Sequence, residues 1–180
     1  MRMFVFAGIA TLLMPAPALA QGKALAEALD RMHAAVARNV VEAAEKVPET
    51  DYGFTPSKDV RTFGGFVGHI ANSGFGYCAR AKGEANPNKE DFEKVTGKAA
   101  LVAGLKASVA YCEGVYKAQT DTTLGELLPG GQAPQPRGQV LVQNISHDNE
   151  HYGNLVTYMR IKGLVPPSTE RATQTRTGGR

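Results

Sequence analysis

Cysteine is scarce in this chain. Cys78 and Cys112 are the only two among 180 residues. Two thiols are too few for a metal-thiolate framework, and neither CxxC nor CxxCH occurs. They allow one intramolecular disulfide, or else two small buried free thiols. Strand alternation is also missing. No stretch shows a sustained period of two bounded by hairpin turns, so a β fold is not expected. Neither sign of charge dominates. Twenty basic and 17 acidic residues leave a net charge of +3, and nothing points to nucleic acid as a partner. No internal repeat is visible.

The single long apolar run lies at the N-terminus. Arg2 precedes it, Met3 to Met14 form it, and Pro15 and Pro17 break it. Ala18-Leu19-Ala20 then gives a small-x-small cleavage pattern, which reads as a secretory signal peptide. The run is too short and wrongly flanked for a membrane span. The expected organisation is a signal peptide over 1–20, a helical domain over 21–165, and a polar C-terminal tail over 166–180. Without Arg2, 19 basic residues face 17 acidic ones. The expected location is secreted or periplasmic, where a disulfide can form. The tail, "PPSTERATQTRTGGR", has no apolar period.

Apolar residues elsewhere recur at helical spacing in four segments. The first runs from about Lys23 to Glu45, with Leu25, Leu29, Met32, Val36, Val40 and Ala43 at steps of three and four. The second starts near Arg61 or Thr62 and ends at Lys82-Gly83, a cation followed by a glycine. The third follows Thr96, a candidate N-cap, and runs to about Ala118. The fourth begins near Pro136 and ends at Lys162-Gly163. Four such helices define an all-α four-helix bundle. The linker between the second and third holds about thirteen residues, enough to travel the length of the bundle. Those two helices are then parallel, and the order is up-down-down-up. Cys78 and Cys112 lie at matched depths in the two helices. At ~1.5 Å per residue, only the parallel arrangement puts them at one height.

The fourth helix carries "NISHDNEHYGN". On a wheel of about 100° per residue, His151, Asn154, Glu150, Gln143, Asn144 and Tyr158 all fall within about 60° of His147. The opposite face bears Val142, Ile145, Tyr152 and Val156, more apolar than expected if the polar seam were merely solvated. Asp148 points away from the seam, and no role is assigned to it. Two imidazoles at i and i+4 can share a metal ion, given a third ligand. Of the chain's four histidines, His33 and His69 remain. His69 shares its helix face with Gly65, Asn72, Ser73 and Gly76, small residues that leave room for a pocket. His33 sits among ordinary helix residues and reads as surface or packing.

The segments "RTFGGFVGHIANSGFGYC" and "SHDNEHYGNLVTYMRIKGLVPPST", with the four-helix layout, resemble the DinB superfamily, also called DinB/YfiT-like. That pattern has a histidine early in the second helix and HxxxH on the fourth, followed by a Tyr-x-Arg-x-x-Gly-like stretch. Here these positions are His69, then His147 and His151, then Tyr158, Arg160 and Gly163. The resemblance implies the up-down-down-up bundle and a divalent metal ion on His69, His147 and His151. It also implies kinship with thiol-S-transferases and a thiol-dependent maleylpyruvate isomerase, and with proposed hydrolases.

Three neutral imidazoles leave an ion with an open position, as in catalytic rather than closed structural sites. Zinc, nickel, iron and manganese all fit such a set. The expectation is an exported metal-dependent enzyme, hydrolytic or thiol-transferring, acting on an unspecified small molecule. The alternative is a non-catalytic bundle of the cell envelope that binds a metal or small ligand. Glu150 is the candidate catalytic residue, as a general base or as an orienter of a histidine; a solvated charge is the plainer reading. A second copy of the chain is a partner the sequence allows, giving a homodimer.

Overall fold

The computed structural model describes residues 22–130 and 133–178. The segment read as a signal peptide lies outside them. The bundle is built from α1 (Ala24–Lys46), α2 (Phe63–Lys82), α3 (Lys98–Lys117) and α5 (Arg137–Ile161). Shorter pieces join them: a 3-10 turn at Glu49–Asp51, another at Phe92–Lys94, and the four-residue helix α4 (Asp121–Leu124). A two-stranded ribbon pairs β1 (Leu127–Leu128) with β2 (Gln135–Pro136), antiparallel. A last helix, α6 (Pro167–Gly178), follows the bundle.

Local chemistry sets the helix ends. Thr62 accepts the backbone N–H of Gly65 at 3.0 Å and caps α2. Gly83 ends α2 in the left-handed region at φ 78°, a conformation that costs glycine no Cβ clash. Thr96 is not the cap of α3. Gly97 occupies that position at φ 92° and brings no capping side chain, while Glu49 accepts the Lys98 N–H at 3.3 Å. Thr120 and Thr123 bond reciprocally at the start of α4.

Contacts between helix ends fix the directions. Lys98, at the start of α3, donates to the carbonyls of Glu45 and Val47 at the end of α1, at 2.6 and 2.8 Å. At the opposite end Asp121 accepts the orphan N–H of Ala26 at 2.9 Å. Helices α1 and α3 are therefore antiparallel. Arg137 at the start of α5 reaches the Ala81 carbonyl at the end of α2. Tyr158 near the end of α5 donates to the Arg61 carbonyl at 2.8 Å. Helices α2 and α5 are antiparallel too. Cys78 and Cys112 form a disulfide with their Cα atoms 5.4 Å apart, so α2 and α3 run parallel. The order is up-down-down-up, as the long linker predicts.

The apolar core has two halves. One gathers Val40, Ala44, Phe63, Val67, Leu105, Leu155 and Met159. The other gathers Leu29, Cys78, Cys112, Tyr116, Val140 and Leu141. Between these levels α2 presents His69 to His147 and His151 of α5. Among the described residues no helix is long and apolar enough to cross a membrane.

The polar tail behaves differently from its composition. It forms α6, although no apolar stripe drives it. Instead Arg171 pairs with Glu42 and Asn39, and Lys46 pairs with Glu170. Ser168 exchanges hydrogen bonds with the Tyr152 hydroxyl at 2.8 and 3.1 Å. Side-chain pairing to α1 and α5 supplies the docking that periodicity cannot reveal.

Candidate metal centre

His69 lies on the second turn of α2, and His147 and His151 sit one turn apart on α5. Their Nε2 atoms converge. His69 Nε2 is 3.0 Å from His147 Nε2, which is 3.1 Å from His151 Nε2. The rings of His147 and His151 stand perpendicular, with centroids 4.3 Å apart. Among the described residues, these three form the one group of His, Cys, Asp and Glu side chains close enough to share an ion.

The donor set fits a divalent cation. Ligands held ~2.0–2.1 Å from a tetrahedral ion lie about 3.3 Å from each other, close to the spacings found here. Three imidazole nitrogens crowded at one point need something positive between them. A single proton bonds one pair and leaves the third lone pair unmatched.

Each outward nitrogen has its own partner. Glu93 Oε1 lies 2.7 Å from His69 Nδ1. An ionised carboxylate can only accept, so that nitrogen carries the proton and Nε2 keeps its lone pair. Glu93 Oε2 also accepts from Arg61 Nε at 3.2 Å. Partial burial pushes the Glu93 carboxyl up, but the bonds from His69 and Arg61 outweigh it, and its pKa falls below the ordinary value. Asp148 Oδ1 is 3.4 Å from His147 Nδ1. The Asn154 amide nitrogen Nδ2 is 3.3 Å from His151 Nδ1; with the amide flipped, its oxygen would accept the Nδ1 proton. Burial, reinforced by the charges on His147 and His69, lowers the pKa of His151 to about 4. The ring is thus neutral at pH 7, the form that binds metal.

Asp148 corrects the wheel. Set about 100° from His147 on the wheel, it is expected to point away. Yet it is buried, and its backbone neighbour His147 turns Nδ1 back toward it. Burial raises its pKa, against the bond and charge of His147. Glu150 is exposed, next to His151 in sequence, and its charge opposes the fall in the pKa of His151. The rest of the seam disperses. Asn144 is fully buried and donates to the Tyr116 hydroxyl at 3.2 Å. Tyr158 turns to the Arg61 carbonyl. His33 stands apart, stacked on Tyr116.

Phe66 and Tyr77 flank the cluster, with ring centroids 5.2 Å from His151 and 5.7 Å from His147 respectively. A cavity of about 420 Å³ has Glu93, Thr62 and Gly65 in its wall; it shares Glu93 with the site, and none of the three histidines lines it. The room beside His69 is partly taken by the α2–α3 linker, which bonds to Asn72. Glu93 escaped sequence reasoning: it lies 24 residues from His69 in a loop without periodicity.

Fold and site together define a helical-bundle protein with a three-histidine centre. The chain belongs to the DinB superfamily, whose sequence pattern matches residues 32–155, more than half its length. None of the curated proteins matches it. Among solved structures, a DinB-like protein from Bacillus cereus is 19% identical at a TM-score of 0.66, covering 78% of this chain and 95% of that one. A DinB-like protein from Bacillus subtilis is 19% identical at 0.63, covering 76% and 92%. A mycothiol-dependent maleylpyruvate isomerase is 14% identical at 0.59, covering 72% and 60%. At these identities the likeness defines the fold.

Proposed function

We propose that this chain is an exported, divalent-metal-dependent enzyme, a hydrolase or a thiol-dependent transferase. The observation that carries the reading is the convergence of three Nε2 atoms, each imidazole having a polar partner on its other nitrogen. His69, His147 and His151 hold the ion; zinc, nickel, iron and manganese suit such a set. An ion there supplies Lewis acidity toward a substrate oxygen or thiol. The cluster has three members among the described residues, which leaves a coordination position for substrate.

The chain's own groups do the rest. Glu93 and Asp148 hold His69 and His147 in the tautomer that aims Nε2 inward, and a flipped Asn154 amide would do the same for His151. Phe66 and Tyr77 keep water from two sides. Glu150, exposed and next to His151 in sequence, would serve as the base that takes a proton from a bound substrate. The isomerase among the structural neighbours supports an enzymatic use of this scaffold. The Cys78–Cys112 disulfide supports an oxidising compartment reached through the signal peptide at 1–20.

Metal analysis of protein purified without a histidine tag, followed by a screen of ester, amide and thiol-adduct substrates, tests this. We expect about one divalent ion per chain and turnover that falls with Glu150→Gln. Stoichiometric metal with no turnover across the screen would favour the non-catalytic binding bundle. No metal in any preparation would end the reading.

A further inference from the structure

The α2–α3 linker does more than connect two parallel helices. Its 3-10 turn, Phe92–Lys94, is seated against α2 and α3 by four separate contacts. Gly68, one residue before His69, lies under the Phe92 carbonyl so closely that a Cβ there would collide with it. Gly104 of α3 lies under the Phe92 ring in the same way. Asn72, one turn beyond Gly68, clamps the strand of linker between them. Its Oδ1 accepts the Phe92 N–H at 3.0 Å, and its Nδ2 donates to Asp91 at 2.9 Å. Phe75 stacks on the Phe92 ring with centroids 6.4 Å apart.

The residue this seat delivers is Glu93. One carboxylate oxygen meets His69 Nδ1 at 2.7 Å, and the other meets Arg61 Nε at 3.2 Å. The Glu93 side chain is 37% exposed. An ion pair that open contributes little to stability, and this pair does not explain why the linker is held so closely. Orientation of His69 does. Every anchoring contact on α2 lies within six residues of that histidine.

We propose that the linker is part of the metal centre: Glu93 is the positioning residue that fixes the tautomer and ring plane of His69, and Gly68, Gly104 and Asn72 are its seat. This rests on the metal-binding reading above. It assigns function to a loop that carries no ligand. It also gives two glycines a role that helix propensity alone would oppose, since glycine inside a helix costs about 1 kcal/mol relative to alanine.

The test uses the full folded protein stripped of metal, with Zn²⁺ as the titrant against a chromophoric chelator. Glu93→Ala should weaken Zn²⁺ binding about 10–100-fold, the usual cost of losing an outer-shell partner. Glu93→Gln should lose less, because its amide oxygen still accepts the Nδ1 proton. Gly68→Ala should follow Glu93→Ala by lifting the turn; if it fails to fold, the two Glu93 variants decide. The visible spectrum of the Co²⁺ form should change in Glu93→Ala.

A second readout needs no metal. Nitrogen NMR of the apo protein at pH 7.5 should find His69 with its proton on Nδ1, and a mixture of tautomers in Glu93→Ala. Wild-type Zn²⁺ affinity together with an unchanged His69 tautomer in Glu93→Ala would overturn the proposal. If wild-type protein binds no Zn²⁺ at all, the metal reading fails, and the tautomer measurement alone judges Glu93.

Discussion

The bundle holds histidine in two very different settings. His33 of α1 is 2% exposed and stacks on Tyr116 at a centroid distance of 4.2 Å. Its Nδ1 has no hydrogen-bond partner among the described residues. Burial lowers its pKa to about 4, against the opposing charges of Asp30 and Glu113. The cluster of His69, His147 and His151 is less buried, yet every Nδ1 has a polar neighbour and every Nε2 faces another imidazole. Burial therefore does not mark the site. The inventory of partners around each ring does. His33 is used as a flat neutral filler, while the other three are held as lone pairs with a direction.

The sharpest way to break this contrast is to remove one ring from each setting. His151→Ala should lower metal affinity by more than the ~10–100-fold that loss of an outer-shell partner costs. His33→Phe should leave it unchanged. Elemental analysis and competitive titration read both. Equal loss in the two variants would mean that the contrast is false.

The second test concerns the staple. The disulfide lies in the same core half as Tyr116, on which His33 stacks. Replacing Cys78 and Cys112 by serine should cost about 2–5 kcal/mol in urea unfolding. Zn²⁺ affinity should shift by less than the ~10-fold lower limit for an outer-shell loss, because α2 and α5, not α2 and α3, carry the ligands. A larger shift would show that the two settings are mechanically one.

Acid should distinguish the rings as well. His33 holds a proton less tightly folded, near pKa 4, than unfolded, near 6.5. The unfolded chain thus binds more protons in between, and stability falls as pH falls. The contribution is complete above pH ~6.5, is lost on the way down to ~4, and amounts to on the order of 3 kcal/mol. His33→Phe keeps a ring against Tyr116 but cannot titrate. In chelator, so that metal plays no part, the wild type should lose stability relative to this variant between pH 7 and 4.5. Parallel curves would show that His33 is not buried neutral.

Much of this was legible in the sequence, and the rest was illegible for physical reasons. Helix ends were legible near Thr62, at Gly83 and near Pro136, although Pro136 stands just before the first turn of α5 and makes no capping bond. Chain direction followed from linker length and the matched depths of two cysteines. The meeting of His69 with His147 and His151 followed from a wheel and a resemblance. Glu93 could not be found that way, because its place depends on how a loop folds back over Gly68 and Gly104. Asp148 was misjudged because a wheel fixes where a side chain leaves the helix but not where a neighbouring ring turns. The tail reads as polar, and its helix depends on Arg171 finding Glu42 and Asn39 on α1.

That pairing gives the smallest expected effect. Arg171→Ala should cost about 1 kcal/mol or less, as exposed ion pairs do. Amide exchange should then speed up in α6 while the four bundle helices stay protected. Loss of protection at His33 or in the cluster would mean that α6 supports the core and does not merely lie on it.

The disulfide also has a topological consequence. Cys78 and Cys112 close a covalent loop that contains the entire linker, including Asn72's partners Asp91 and Phe92 and the carboxylate on His69. A protease that cuts anywhere between the two cysteines leaves one molecule, not two. The nicked chain should run as a single species until thiol reductant is added, then separate into two fragments. Glu93 can thus be cut free at its own backbone without the two halves of the bundle parting.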